Sequence, residues 1–295
     1  MIAAGVDIGG SFIKAGLVVA RSGRILQRSV IPFPKGEGIA AVFDAVEAQI
    51  KKLLKEQGMV SYDLRAIGIA LPGSFNSERT HVIHAYNLDF HDVDVKGSMT
   101  NRFPGVPIIA LNDADAATVA EHSYGALKGA KTAVLLTLGT GVGGGLILGG
   151  KLFLGGMGHG VELGHMTLDY DGKRHDCGNR GCVEMYCNAE ALRADSGHSV
   201  EKIIEGIRTG DPEFDPVIER YADALSGALV SIVHLLDPEV IALGGGIASA
   251  GQPLVGAVAT KVQQKSFFKT SSRIVPAMFG NDAGLVGAAI AYGNL

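Results

Sequence analysis

Apolar residues near the start of the chain fall into three short runs, Ile2 to Val6, Phe12 to Val19 and Ile25 to Ile31, separated by glycine-containing turns. That pattern predicts three strands. From Ile39 the period changes: Val42, Phe43, Val46, Ile50, Leu53 and Leu54 recur at helical spacing, and Gly58 stands where a helix would be capped. Ala66 to Leu71 then reads as a buried strand closed by Pro72-Gly73. The order repeats, with strands predicted at Thr132 to Leu138, Gly145 to Leu148 and Lys151 to Leu154 before a set of long helices. One of these, from about Asp215 to Leu236, carries Val217, Ile218, Tyr221, Leu225, Leu229, Ile232 and Val233 on one side and leads into the strand Val240 to Leu243.

Two copies of strand, strand, strand, helix, strand suggest duplicated α/β halves facing one another across a cleft. Identity between the copies is slight, and two unrelated α/β segments would give the same outline. At 295 residues the length favours two domains. The expected division is 1–110 plus 283–295 as a small N-terminal lobe and 111–282 as a larger lobe.

Composition narrows the function class. With 47% hydrophobic and 19% charged residues and no low-complexity tract, the chain can bury a core throughout. The formal charge of −4 comes with no basic stripe, so nucleic acid is not an expected partner. No apolar run reaches the roughly 20 residues of a membrane helix, and Met1 to Val6 lacks a signal-peptide layout, so the expected location is cytoplasmic. Glycine is the outlier at 42 residues, which implies many places where bare backbone is required.

Two of those places carry candidate chemistry. Asp7-Ile8-Gly9-Gly10-Ser11, with Lys14 three residues on, lies between two predicted strands, where backbone N–H groups and a hydroxyl can approach phosphate oxygens and Asp7 can hold hydrated Mg²⁺. An ordinary hairpin with an Asp for turn chemistry has the same pattern. The turn Thr137 to Gly145, including Gly139, Thr140 and Gly141, occupies the equivalent point of the second half and is expected to grip the outer phosphates of ATP. It is neither a Rossmann fingerprint nor a Walker loop. Paired, the two hairpins can clamp a triphosphate. Gly244-Gly245-Gly246, after a strand and before a helical segment, has the layout of a further nucleotide contact, or of close helix–strand packing.

Leu111-Asn112-Asp113-Ala114-Asp115 follows the apolar strand Val106 to Leu111 and opens a helix. One cap is needed there, and three capping-type side chains exceed that need. A phosphoryl acceptor hydroxyl requires a carboxylate to orient it and take its proton, and Asp113 is the candidate base. Farther on, His165, His175, Cys177 and Cys182 form a two-His, two-Cys set suited to structural zinc, with Cys177-Gly-Asn-Arg-Gly-Cys182 as a tight knuckle. Free buried thiols beside a surface His175 are the alternative. Cys187 reads as a small buried apolar residue.

Taken together, Asp7-x-Gly9-Gly10-Ser11, Leu111-Asn112-Asp113-Ala114, Thr137 to Gly145, Glu162-Leu163-Gly164-His165 and Cys177-Gly-x-x-Gly-Cys182-x-Glu184 resemble the ROK family of bacterial sugar kinases and repressors over almost the whole chain. The resemblance implies the two-lobed actin-like, hexokinase-type (ribonuclease H-like) α/β fold with a duplicated βββαβα plan and a central cleft. It implies that Asn112 and Asp113 bind sugar with Asp113 as base, that Glu162, His165 and Glu184 contact sugar hydroxyls, and that Gly73 and Asn87 lie near them. Family zinc sites usually use one His and three Cys, whereas His175 stands here where the first Cys is expected. A homodimer is in keeping with the family.

Asn87-Leu88 is similar to glucokinase-type members, so the 6-hydroxyl of glucose is the expected acceptor, with fructose, mannose, allose, N-acetylmannosamine and N-acetylglucosamine as alternatives. The family's repressors carry a helix-turn-helix ahead of the kinase-like body. This sequence opens directly on its first strand, so a kinase is expected over a sugar-sensing regulator. An ATPase of the same superfold with a non-sugar substrate is the third reading.

Overall fold

The computed structural model describes residues 1–194, 196–268 and 272–293. The chain begins with β1 (Ile2–Ile8), β2 (Phe12–Val19), β3 (Arg24–Pro32), α1 (Ile39–Glu56) and β4 (Leu64–Leu71). Next come β5 (Ser74–Phe75), β6 (His81–Ala85), β7 (Phe90–Asp94), α2 (Val95–Arg102), β8 (Ile108–Asn112) and α3 (Asp113–Tyr124). The second half holds β9 (Ala133–Leu138), β10 (Val142–Leu148), β11 (Lys151–Leu152), α4 (Glu184–Cys187), α5 (Ala189–Arg193), α6 (Val200–Thr209) and α7 (Asp215–Leu236). It continues through β12 (Val240–Gly244), α8 (Gly245–Ala248), α9 (Gln252–Lys265), β13 (Arg273–Pro276) and α10 (Ala283–Ile290). No helix among the described residues is long and apolar enough to cross a membrane.

The two main sheets have the same plan. The first runs β3-β2-β1-β4-β8 and the second β11-β10-β9-β12-β13. In the first, β1 and β2 pair antiparallel, as do β2 and β3, while β1–β4 and β4–β8 are parallel. In the second, β10 and β9 pair antiparallel while β12 is parallel to both β9 and β13. The duplication expected from the order of elements is therefore present at the level of topology. Central strands such as β4 and β12 are buried along nearly their whole length, which is why they read as continuous apolar runs rather than alternating ones.

Helix α1 buries the predicted stripe of Val42, Phe43, Val46, Ile50, Leu53 and Leu54, and these side chains join those of β1, β2 and β4 in one core. Helix α10 seals the first sheet differently, because backbone there meets backbone. A Cβ on Gly5 of β1 would lie 2.0 Å from Leu285 O, and one on Gly68 of β4 would lie 1.8 Å from Ala288 O. One on Gly287 of α10 would lie 1.6 Å from Ala116 O of α3. Only glycine permits this close seam.

The chain divides into two compact units. The first comprises residues Met1–Tyr124, Lys151–Val161 and Asp282–Leu295, the second Gly125–Gly150 and Glu162–Asn281. The first unit thus reaches beyond the boundary expected at 110. The reason is local: β8 pairs with β4 in the first sheet, and α3 is locked to α10 through Gly287.

Candidate active site

In the first unit, parallel pairing sets the ends of three strands along one edge of the sheet. Asp7 of β1 is opposite Ala70 of β4, and Leu71 of β4 is opposite Asn112 of β8. The turn Gly9-Gly10-Ser11 leaves this edge from β1 and is closed by a 2.9 Å bond from Gly9 N to Phe12 O. A Cβ on Gly10 would lie 3.0 Å from Asn87 O, so the expected phosphate turn and the expected sugar residue Asn87 are neighbours. Lys14 pairs across the hairpin and donates to Asp7 Oδ2 at 3.0 Å.

Asn112 caps α3. Its Oδ1 accepts from Ala114 N at 2.8 Å, and its Nδ2 donates to Gly73 O at 3.1 Å. Gly73 has φ of +109°, and a Cβ there would meet His84 O at 2.2 Å, so this turn needs glycine on both counts. With the cap supplied by Asn112, the Asp113 carboxylate is not needed as the cap, and its Oδ1 accepts a 2.9 Å bond from Ala114 N. Asp113 is exposed to solvent. Protein nevertheless surrounds its carboxyl closely enough that lost hydration, followed by the negative charge of Asp7, raises its pKa, while backbone N–H bonds from Ala114 and from itself oppose the rise. A carboxylate that a ligand can reach and whose pKa is held above the ordinary value is suited to accepting a proton.

Asp115, the third polar residue of this segment, is spent elsewhere. Its carboxylate accepts from Arg79 Nη2 at 3.1 Å, and both side chains are nearly buried. No pattern in the sequence singles out Arg79, which lies in the β5–β6 connection with φ of +52°.

In the second unit, β9 and β10 form the second glycine-rich hairpin, with Leu138 opposite Val142 and the tip at Gly139-Thr140-Gly141. The tip is closed by a 3.0 Å bond from Gly139 N to Gly141 O, and Thr140 at its apex is exposed. Thr137 is paired with Gly244 at the end of β12. Gly245 follows with φ of +82°, and a Cβ there would meet Leu138 O at 2.3 Å, so the end of β12 lies directly on the base of the hairpin. Gly143 and Gly144, expected to belong to the turn, and Gly145, expected where turn meets strand, are all inside β10, paired with Thr137, Leu136 and Leu135 of β9, and Leu163 packs where a Gly144 side chain would be.

Glu162 and His165 flank a single helical turn, and His165 Nε2 lies 4.0 Å from Glu162 Oε2. Glu184 lies between the hairpin and the metal knuckle. Its Oε2 accepts from Val142 N at 2.7 Å, and its Oε1 is 3.1 Å from His175 Nε2.

The candidate metal donors converge. One ligand atom from each of His165, His175, Cys177 and Cys182 lies within 4.8 Å of the others. Cys177 Sγ is 3.6 Å from Cys182 Sγ and 3.0 Å from His175 Nδ1. A tetrahedral ion with bonds of about 2.3 Å to sulfur spaces two sulfurs by about 3.8 Å. His165 Nδ1 is buried with no hydrogen-bond partner among the described residues, as expected of a nitrogen whose partner is a metal rather than a proton donor or acceptor. The four residues therefore fit a closed tetrahedral site. Burial would push the Cys177 thiol up, but its bonds with His175, Asn179 N–H and Cys182 bring its pKa below the ordinary value. Burial pushes the Cys187 thiol up to about 12, and it takes no part in the cluster.

A sequence model of the ROK family matches residues 3–293. A glucokinase of Streptomyces coelicolor is 30% identical over 97% of this chain and 95% of its own. An N-acetylmannosamine kinase of Haemophilus influenzae is 33% identical over 96% of this chain and 93% of its own. Among solved structures, a ROK family glucokinase from Streptomyces griseus in complex with glucose and AMPPNP superimposes with a TM-score of 0.84 at 30% identity, covering 98% of each chain. The α/β fold is thus the actin-like, hexokinase-type one that such enzymes share, and the chain belongs to the ROK family.

Proposed function

We propose that this chain is an ATP-dependent hexose kinase that phosphorylates the 6-hydroxyl of glucose, with Asp113 as the catalytic base. The observation that carries this reading is the Asp113 carboxylate at the start of α3, directly after β8, relieved of capping by Asn112, exposed and raised in pKa. In the reaction the sugar hydroxyl gives its proton to Asp113 as its oxygen bonds to the terminal phosphorus of ATP. The bond from that phosphorus to the bridging oxygen breaks and ADP leaves. Asn112, Gly73, Asn87, Glu162, His165 and Glu184 hold the sugar. Gly9, Gly10, Ser11, Thr137, Gly139, Thr140, Gly141, Gly244 and Gly245 hold the nucleotide, with Lys14 steadying Asp7. Asp7 would hold Mg²⁺, which would supply neutralisation of charge on the phosphates.

Relatives with glucokinase and N-acetylmannosamine kinase activities are about equally identical to this chain, so the sugar is chosen by Asn87-Leu88 rather than by overall likeness. Purified protein with Mg-ATP is expected to release ADP with glucose in preference to fructose, mannose, allose, N-acetylmannosamine and N-acetylglucosamine. A coupled assay for ADP reads this directly. A different preferred hexose would overturn the glucose assignment, and sugar binding with no ADP from any of them would mark a non-catalytic sensor.

His165, His175, Cys177 and Cys182 hold a structural zinc ion, which would cross-link the 165–182 segment. Metal analysis of protein purified without chelators is expected to give about one zinc per chain, as a closed four-ligand site requires. A content below about half an equivalent would refute it.

A further inference from the structure

The carboxylate of Glu184 is bonded in two directions. Toward the hairpin, Oε2 accepts the N–H of Val142 at 2.7 Å, and the Cβ that Gly141 lacks would come within 2.4 Å of the same oxygen. Toward the metal cluster, Oε1 lies 3.1 Å from His175 Nε2. The other nitrogen of that ring, Nδ1, lies 3.0 Å from Cys177 Sγ, inside the donor set. The imidazole thus bridges the two sets of groups: in the tautomer with its hydrogen on Nε2, that hydrogen is donated to Glu184 Oε1 and Nδ1 is left as the nitrogen that would ligate an ion. Glu184 and His175 are both mostly buried, which protects the two bonds from exchange with water.

We infer that Glu184 is a positioning residue that couples the metal centre to the nucleotide hairpin. The ion fixes the His175 ring, the ring fixes Glu184, and Glu184 holds Val142 N–H and Gly141 in the geometry that shapes the 139–141 tip. The device depends on histidine at 175. A cysteine there could ligate the ion but has no second polar atom with which to reach Glu184. Each carboxylate oxygen has more than one acceptor position, so a sugar hydroxyl can still donate to Glu184.

Coupling of this kind is reciprocal: zinc must tighten nucleotide binding by the factor by which nucleotide tightens zinc. The inference rests on the hairpin being a nucleotide site, and the test separates the two. Zinc affinity of the folded, zinc-loaded protein is measured by competition with a chromogenic chelator, with and without saturating AMPPNP. Calorimetry of AMPPNP binding is run alongside. In the wild-type chain AMPPNP is expected to tighten zinc about 10-fold, within the usual range of such couplings. In His175→Cys the chain should still hold zinc and AMPPNP while the factor falls to near 1. Glu184→Gln keeps an acceptor for Val142 but presents an amide to His175, and it should lower the factor too. If AMPPNP binds the wild-type chain without altering zinc affinity, or if His175→Cys keeps the full factor, the coupling is refuted. If the zinc-loaded wild-type chain binds no AMPPNP, the nucleotide reading itself fails, and the coupling with it.

Discussion

Asp113→Asn should lower kcat by about 10²–10⁴-fold, the usual worth of a positioned base, with hexose affinity close to that of the native chain. Asparagine keeps the shape of the side chain and can still accept from Ala114 N through its carbonyl, as Asp113 Oδ1 does at 2.9 Å. What it loses is the capacity to take a proton. The pH dependence gives an independent reading. The base must be ionised, and the pKa of Asp113 is raised, first by lost hydration and then by the charge of Asp7. The acidic limb of kcat/KM should therefore fall above the ordinary aspartate value of about 3.9.

The same shift has a sign for stability. A carboxyl whose pKa is higher folded than unfolded favours the fold below its unfolded pKa, and that contribution is lost as pH rises through the folded value. At neutral pH Asp113 is therefore a cost to the fold, and Asp113→Asn should unfold at a temperature equal to or slightly above that of the native chain. Activity within about tenfold of native in the Asn variant would exclude Asp113 as the base.

Gly287→Ala should destabilise the protein by about 3 kcal/mol, the upper end of the usual overpacking cost, with a fall in Tm of roughly 5–10 °C for a chain of this size. The sign is the informative part, because alanine is favoured over glycine inside a helix by about 1 kcal/mol. At Gly287 the new methyl would lie 1.6 Å from Ala116 O, a backbone atom that no rotamer change can move. The helices α10 and α3 must part, and the core they cover opens. Gly256 of α9 is the control, since a Cβ there meets nothing within 4 Å among the described residues. Gly256→Ala should raise Tm slightly. Thermal unfolding of the two variants side by side decides the matter, and equal shifts in the same direction would refute the seam.

Where a period runs over several turns, sequence and structure agree closely: α7 spans the expected Asp215–Leu236. The junction at Asn112-Asp113, where β8 ends and α3 begins, is also legible, because a strand end followed by more capping side chains than one helix needs is a local signal. Three features were not. The small sheet β5-β6-β7 has strands of two to five residues with His and Asp among them, too short and polar for a pattern to emerge. The glycines 143–145 look like a turn in one dimension and are strand because they pair with residues 135–137 of β9, while Leu163 fills the space over Gly144. The two bonds of Glu184 join residues 42 and 9 positions apart, and nothing in residue type foretells that one carboxylate serves both.

Because the first unit takes its strands from the beginning of the chain and its sealing helix from residues 283–290, it cannot be finished during most of translation. The ribosome must add the whole stretch from 125 to 281 before α10 emerges, roughly 10–30 s at about 5–20 residues per second. Through that interval the nascent sheet presents an apolar face bared of side chains at Gly5 and Gly68, while the second unit already has all its residues by position 281. Polypeptides halted before α10 should therefore be trapped by chaperones or precipitate instead of persisting as a shorter folded species.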